Sequence, residues 1–262
     1  DLRDRLRDFA TERELRDILE VLEKRTIPDS ETGAGRDGEV RSAGSRDLAF
    51  IQYSSGSTSE PKGVRLTHGN LTTNIRAIVE SARWNETDSS LSWMPLTHDM
   101  GLIGYHLSVL AAGMDHAVMD TSLFVRRPLM WMSKASELCA TQLCSPNFGY
   151  KHFLKLFERK GPGTSLPDLD LREVRLILNG AEPISWELCE QFLAALAPYG
   201  LKRNAMCPVY GLAEATVAVS FPEPGREYDR IVAHRHGLKI GEPYRPAEPG
   251  DPDAVSFVKV GR

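Results

Sequence analysis

The residue types with the clearest chemical potential lie in a run that reads Ser54-Ser55-Gly56-Ser57-Thr58-Ser59-Glu60-Pro61-Lys62-Gly63. It follows directly on the apolar stretch at residues 48–53 (LAFIQY). Small residues let a backbone approach an anion closely, and successive N–H groups can converge on phosphate oxygens. The hydroxyls of Ser54, Ser55, Ser57 and Thr58 add donors, and Lys62 adds a positive charge. The chemistry that suits such a loop is the cradling of phosphates; the bland alternative is a polar surface loop. It is not a Walker loop, because the spacing from Gly56 to Lys62 is wrong and Gly63 stands where Ser or Thr belongs. No G-x-S-x-G elbow is present here.

Three further groupings have a similar character. In the run from Trp93 to Gly104 (WMPLTHDMGLIG), His98 and Asp99 fall at the end of a strand, where α/β proteins place ligand contacts. A His-Asp pair standing alone is more often structural. Asn179-Gly180-Ala181-Glu182-Pro183 follows the apolar run at residues 174–178 (VRLIL). Gly-Ala after a strand lets a flat ring lie against the backbone, although a plain strand-to-helix turn has the same composition. Tyr210-Gly211-Leu212-Ala213-Glu214-Ala215-Thr216 brings together an aromatic face and a carboxylate.

With these residues in view, the run YSSGSTSEPKGVRLTHGNL resembles the phosphate-loop signature of the adenylate-forming superfamily. That superfamily includes acyl-CoA synthetases, luciferases, peptide-synthetase adenylation domains and fatty acyl-AMP ligases. Ser59 stands where those proteins usually carry Gly. HDMGLIG and NGAEP are similar to fatty acyl-AMP ligases in particular, and Ala213 before Glu214 is shared with that subset.

The resemblance implies an enzyme that uses ATP and Mg²⁺ to activate a carboxylic, in this branch fatty, acid to acyl-AMP with release of pyrophosphate. His98, Lys62 and Glu214 would be catalytic, with His98 at the junction of carboxylate and adenylate phosphate. Ser54, Ser55, Gly56, Ser57, Thr58 and Lys62 would hold the phosphates. Asn179, Gly180, Ala181 and Glu182 would receive adenine, and Tyr210 would stack on it beside Gly211, Leu212 and Ala213. Asp99, Met100, Gly101 and Phe148, with His98, Gly180 and Ala213, would meet the acyl substrate, while Thr58 and Glu214 would bind the metal. Phe148 and Tyr150, in the run SPNFGY, are equally readable as core aromatics. The acceptor implied is the phosphopantetheine arm of an acyl carrier protein. A CoA acceptor, or a non-catalytic nucleotide-binding fragment of a larger synthase, are the rival readings. The resemblance covers residues 46–262, so a preceding lobe, a ribose-binding aspartate and a lid with its lysine are expected outside this chain.

The elements that must position these residues alternate along the chain. Strands are expected at residues 48–53, 90–94, 116–119, 141–144, 174–178 and 202–209. Helices are expected from Thr67 to about Ser81 with Thr67 as N-cap, and at 101–112, 127–139, 147–158 and 185–196 with Ser185 as cap. Pro128 opens the third of these helices. This alternation predicts an α/β fold with a mostly parallel sheet flanked by helices; the resemblance implies that it is the central part of the large N-terminal domain of such an enzyme. Residues 1–45 are expected to be an amphipathic helix and a Gly-rich linker. By the resemblance, residues 46–220 are expected to form the nucleotide- and acyl-binding part, and 221–262 to begin an irregular segment with a short strand near 255–258.

Composition narrows the class further. The 262 residues are 41% apolar and 26% charged, with a net charge of −4 and no basic cluster, which disfavours a nucleic-acid partner. No run of 18 or more apolar residues offers a membrane span, and the opening DLRDRLRDF does not resemble a secretory signal. Cys139, Cys144, Cys189 and Cys207 form no C-x-x-C pair and read as small buried hydrophobes of a cytoplasmic protein.

Overall fold

The computed structural model describes residues 42–54, 62–160, 166, 168–248 and 250–261. The chain divides into two compact units, Asp1–Ser42 and Ala43–Arg262, and the described residues belong almost wholly to the second. The expected helix within residues 1–25, most of the linker, and loop residues Ser55, Gly56, Ser57 and Thr58 lie outside the described residues.

The centre of the second unit is a five-stranded parallel sheet. Its strands are β3 (Ser89–Ser92), β4 (Asp115–Val118), β5 (Gln142–Ser145), β6 (Leu176–Asn179) and β7 (Met206–Pro208), in the order β4-β3-β5-β6-β7. Every residue of β5, β6 and β7 is buried, as expected when a parallel sheet is covered on both faces. Parallel neighbours need long crossovers. These are supplied by a π-helix (Met100–Leu107) running into α2 (Ser108–Ala111), α3 (Thr121–Arg126), α4 (Leu129–Glu137), α5 (Asn147–Lys160) and α6 (Trp186–Leu196), while α1 (His68–Ala82) leads into β3. The chief helix contacts join α1 to the π-helix and α2, and α4 to α5 and α5 to α6. The core is strongly aromatic: Trp93 stacks on Phe124 at 3.8 Å, and Tyr150 meets Phe192 edge-on at 4.7 Å.

Several expectations need correction. The 48–53 strand is β1 (Leu48–Ser54), and it does not join the parallel sheet. It pairs antiparallel with β2 (Lys62–Thr67), a strand read from sequence as loop and helix approach. The alternation in KGVRLT, with Val64 and Leu66 turned inward, was the signal for β2. The helix expected at 127–139 is α4, and the short α3 before it was not anticipated. Asp120 caps α3 through the Leu123 N–H at 3.0 Å, and Pro128, which lacks an N–H, occupies the N-cap position of α4. The strand expected at 202–209 is a 3₁₀ turn, Arg203–Ala205, followed by the shorter β7. The tail holds β10 (Arg230–His234), which the sequence reading missed, paired antiparallel with β11 (Ala254–Val258). Among the described residues no helix is long and apolar enough to cross a membrane.

One polar cluster knits the sheet to its surroundings. Asp88, 4% exposed, accepts from Thr141 Oγ1 at 2.7 Å, Gln142 Nε2 at 3.1 Å and Arg175 Nε at 2.7 Å. Arg175 also donates to the Arg83 carbonyl at 2.9 Å, beyond the end of α1, and Trp84 Nε1 donates to Gln142 at 2.9 Å.

Candidate adenylate site

The loops that leave the C-terminal ends of the strands carry most of the residues singled out above. After β6, the Asn179 carbonyl accepts the Val209 N–H at 2.8 Å, so the two loops that follow β6 and β7 run side by side. Gly180 suits this proximity: a Cβ there would lie 3.0 Å from Val209 Cγ2 and 3.3 Å from its carbonyl oxygen, tighter than usual for side chains. Ala181 then adopts φ 71°, a left-handed conformation that residues with a Cβ rarely take. Asn179 itself is fully buried, with its amide directed at Cys189 Sγ 3.3 Å away, and it lines neither cavity described below.

After β7 the chain forms a small hairpin, β8 (Tyr210–Gly211) and β9 (Ala218–Ser220), which the sequence reading missed. Gly211 packs so tightly that a Cβ would fall 1.8 Å from the Val217 carbonyl oxygen. The connection holds a 3₁₀ turn, Ala213–Ala215, with Ala213 buried and Glu214 exposed. Thr216 closes it at φ 78°. Glu214 has no hydrogen-bond or ion-pair partner among the described residues, and neither does Lys62, exposed at the start of β2.

Strand β1 draws the remaining pieces together. It packs against the turn Ala213–Ala215. Its Gln52 side chain reaches the Thr97 carbonyl at 3.5 Å, a long contact with the loop that carries His98. Pairing of Ser54 with Lys62 fixes both ends of the proposed phosphate loop at the tip of the β1–β2 hairpin. Lys62, the His98 loop and the Glu214 turn, distant in sequence, are thus all anchored on one hairpin.

At the loop itself, Asp99 Oδ1 lies 2.8 Å from His98 Nδ1 and accepts the Met100 N–H at 2.7 Å. The Met100 N–H is also 3.2 Å from Nδ1, but the carboxylate is the shorter and charged acceptor, so Nδ1 keeps its proton for Asp99. That hydrogen bond raises the His98 pKa, outweighing the lowering effect of burial. Nε2 has no partner among the described residues. Gly101 lets the π-helix start hard against the preceding turn, since a Cβ there would be 2.2 Å from the Pro95 carbonyl oxygen.

Two concavities share this region. One is apolar and narrow, walled by Ile78, Met100, Tyr105, Leu178, Val217 and Phe221, with Asp99, Gly180, Ala181, Tyr210 and Gly211 at its margin. The other is a cleft of about 480 Å³ between Ala181–Ile184, Val209–Gly211, the β11 residues Ser256, Phe257 and Val258, and Val260 just beyond β11. Ala181, Val209, Tyr210 and Gly211 belong to both. The β11 wall was not anticipated; nothing in the short run VSFVKV marks it, because its place depends on pairing with β10. His98, Gly101, Ala213 and Phe148 line neither. Phe148, 51% exposed, stands at the start of α5 with its ring 5.5 Å from Trp93. Another grouping of potential metal ligands, His234, Asp251 and Asp253, has ligand atoms within 4.8 Å of one another but also lines neither cavity.

Comparison with known proteins agrees with this geometry. A family model for AMP-binding enzymes matches residues 4–243, and the chain belongs to that family. It is 38% identical over 221 residues to the long-chain-fatty-acid–AMP ligase FadD32 of Mycolicibacterium smegmatis, covering 82% of this chain and 34% of that protein. It is 41% identical over 182 residues to the medium-chain-fatty-acid–[acyl-carrier-protein] ligase JamA of Moorena producens, covering 69% of this chain and 30% of the relative. Among solved structures, a fatty acyl-adenylate ligase from L. pneumophila, in complex with acyl adenylate and pyrophosphate, superimposes with a TM-score of 0.78 at 35% identity, over 85% of this chain and 38% of that one. The chain thus spans about a third of the length of the curated relatives it matches.

Proposed function

We propose that this chain carries the nucleotide- and acyl-binding part of an ATP-dependent fatty acyl-AMP ligase that delivers its product to an acyl carrier protein. The observation that carries the reading is the convergence on the β1–β2 hairpin of Lys62, the His98 loop and the Glu214 turn, beside a cleft walled by Tyr210 and Ala181, with Gly180 on the adjoining apolar cavity. Residues 46–220 would hold the site and 221–262 would begin the next segment, with β11 lending the cleft a wall. The four cysteines, none of them disulfide-bonded, fit a cytoplasmic setting.

In this reading adenine enters the cleft against the Tyr210 ring, with backbone groups of Gly180 and Ala181 at its edge. The loop at residues 54–58, through its N–H groups and hydroxyls, and Lys62 receive the phosphates. The donor set fits a divalent metal: Glu214 is an exposed carboxylate without a partner among the described residues, the hard oxygen ligand Mg²⁺ prefers, and Thr58 would be its companion. Bound Mg²⁺ supplies neutralisation of the charge on the triphosphate. His98, aligned by Asp99, orients the fatty carboxylate for attack on the α-phosphorus, and the apolar cavity beside Met100 and Gly101 takes the start of the acyl chain. Catalysis then rests on positioning and charge stabilisation. Formation of acyl-AMP separates pyrophosphate and leaves the acyl group ready for a carrier thiol; JamA, named as an acyl-carrier-protein ligase, supports that acceptor.

The test is calorimetric titration of the chain with a dodecanoyl sulfamoyl-adenosine, a non-hydrolysable acyl-adenylate mimic. Saturable binding that is lost in Gly180→Val is expected. A folded chain that ignores the mimic, or a Gly180→Val variant that binds it as the unaltered chain does, would overturn the site.

A further inference from the structure

Ala181 holds a left-handed conformation without the excuse of being glycine. Such strain persists only where neighbouring structure over-determines it. On its upstream side Asn179 is fixed by the Val209 N–H bond and by burial of its own side chain. On its downstream side two hydrogen bonds tie the loop to α5. Glu182 Oε1 accepts the Phe148 N–H at 2.6 Å, and Asn147 Nδ2 donates to the Pro183 carbonyl at 2.9 Å. The Phe148 N–H belongs to the first helical turn, where no intrahelical acceptor exists and negative charge is favoured. Helix α5 in turn leaves β5, whose Ser145 pairs with Asn179, so the clasp closes a short circuit at the C-terminal end of two interior strands.

We infer that Glu182 is a positioning residue: by clasping the first turn of α5 it holds Ala181 left-handed, so that the Gly180–Ala181 backbone is preset for the adenylate. This rests on the nucleotide reading given above. It differs from the sequence expectation that Glu182 itself receives adenine, because its carboxylate is engaged with the Phe148 amide. The loop without its clasp relaxes toward ordinary φ values, and the apparent affinity falls with the fraction of chains that remain competent.

The experiment compares Glu182→Ala, Glu182→Gln, Ala181→Gly and the Ala181→Gly/Glu182→Ala double variant in the 262-residue chain. Dodecanoyl sulfamoyl-adenosine binding is read by calorimetry, protection of the Phe148 amide by hydrogen exchange, and folding by circular dichroism. Glu182→Ala should bind the mimic about tenfold more weakly, since an unclasped alanine leaves the left-handed region. Glu182→Gln, whose amide oxygen still accepts, should bind like the unaltered chain. Ala181→Gly should restore most of the affinity lost in Glu182→Ala, because glycine takes positive φ without penalty. Should Glu182→Ala fail to fold, Glu182→Asp, one methylene short of the Phe148 amide, takes its place with the same expectations. Unchanged affinity in Glu182→Ala overturns the inference alone. So does a loss that glycine fails to rescue, which would make Glu182 a direct ligand contact. Absence of binding by the unaltered chain, with its Phe148 amide protected, overturns the nucleotide reading and the positioning role with it.

Discussion

Asp99 acts on His98 through a single 2.8 Å contact, and the resulting rise in the imidazole pKa fixes a sign. A histidine whose folded pKa lies above its unfolded one stabilises the fold fully below the unfolded value. That contribution is lost as the pH rises through the folded value. Asp99→Asn should therefore lower the midpoint of the His98 imidazole titration followed by NMR, and an unmoved midpoint would remove Asp99 from this role. Glu214 makes a separate prediction: Glu214→Ala should abolish the Mg²⁺-dependent part of ATP affinity, a loss of about tenfold for one carboxylate ligand. Equal ATP affinity with and without Mg²⁺ in the unaltered chain would defeat that. His98, Gly180, Tyr210 and Glu214 could be singled out in the sequence because each motif is contiguous and chemically unusual. The clasp of Glu182 was not, since its partner lies 34 residues away and no local pattern announces it.

At the scale of elements, local chemistry that closes on itself was readable. Thr67 caps α1 through the Asn70 N–H at 3.2 Å, while Asn70 Oδ1 accepts the Thr67 N–H at 3.0 Å. Thr67→Ala should cost about 1 kcal/mol of stability in denaturant titration. A loss near zero would mean that packing of Leu71 and Ile78 alone sets where the helix starts. Ser185, which accepts the Leu188 N–H at 3.2 Å, marked the start of α6 equally well. The π-helix was not readable, because MGLIGYHL is apolar almost throughout and has no periodicity to distinguish a wider turn from an α-helix. The β1–β2 hairpin was half seen: the polar loop drew attention away from the alternating strand behind it. β10 was missed because only Ile231, Val232 and Ala233 are apolar between charged neighbours, and its pairing depends on a strand twenty residues further on.

For the whole molecule, the alternation of strands and helices gave the α/β class and the parallel sheet, but not the strand order, which pairing between distant segments decides. The Asp88 cluster shows how that order is locked. Burial pushes the Asp88 carboxyl pKa up, but hydrogen bonds from Arg175, Thr141 and Gln142, with the Arg175 charge, more than reverse this and leave it lowered. The stabilisation is present above the unfolded carboxylate pKa and is lost as the pH falls through the folded one. Asp88→Asn should cost about 3 kcal/mol, since Arg175 is left without its counter-charge, and should flatten the acid limb of the stability profile. A variant that unfolds in acid just as the parent does would show that other carboxylates govern that limb. The strand order has one more consequence, for synthesis. β3 is made first, β4 adds to one of its edges and β5 to the other, then β6 to β5 and β7 to β6. Each strand that emerges from the ribosome meets an edge already in place, and none must be threaded between two that have paired. The sheet can therefore grow outward as the chain is translated, with no gap held open for a latecomer.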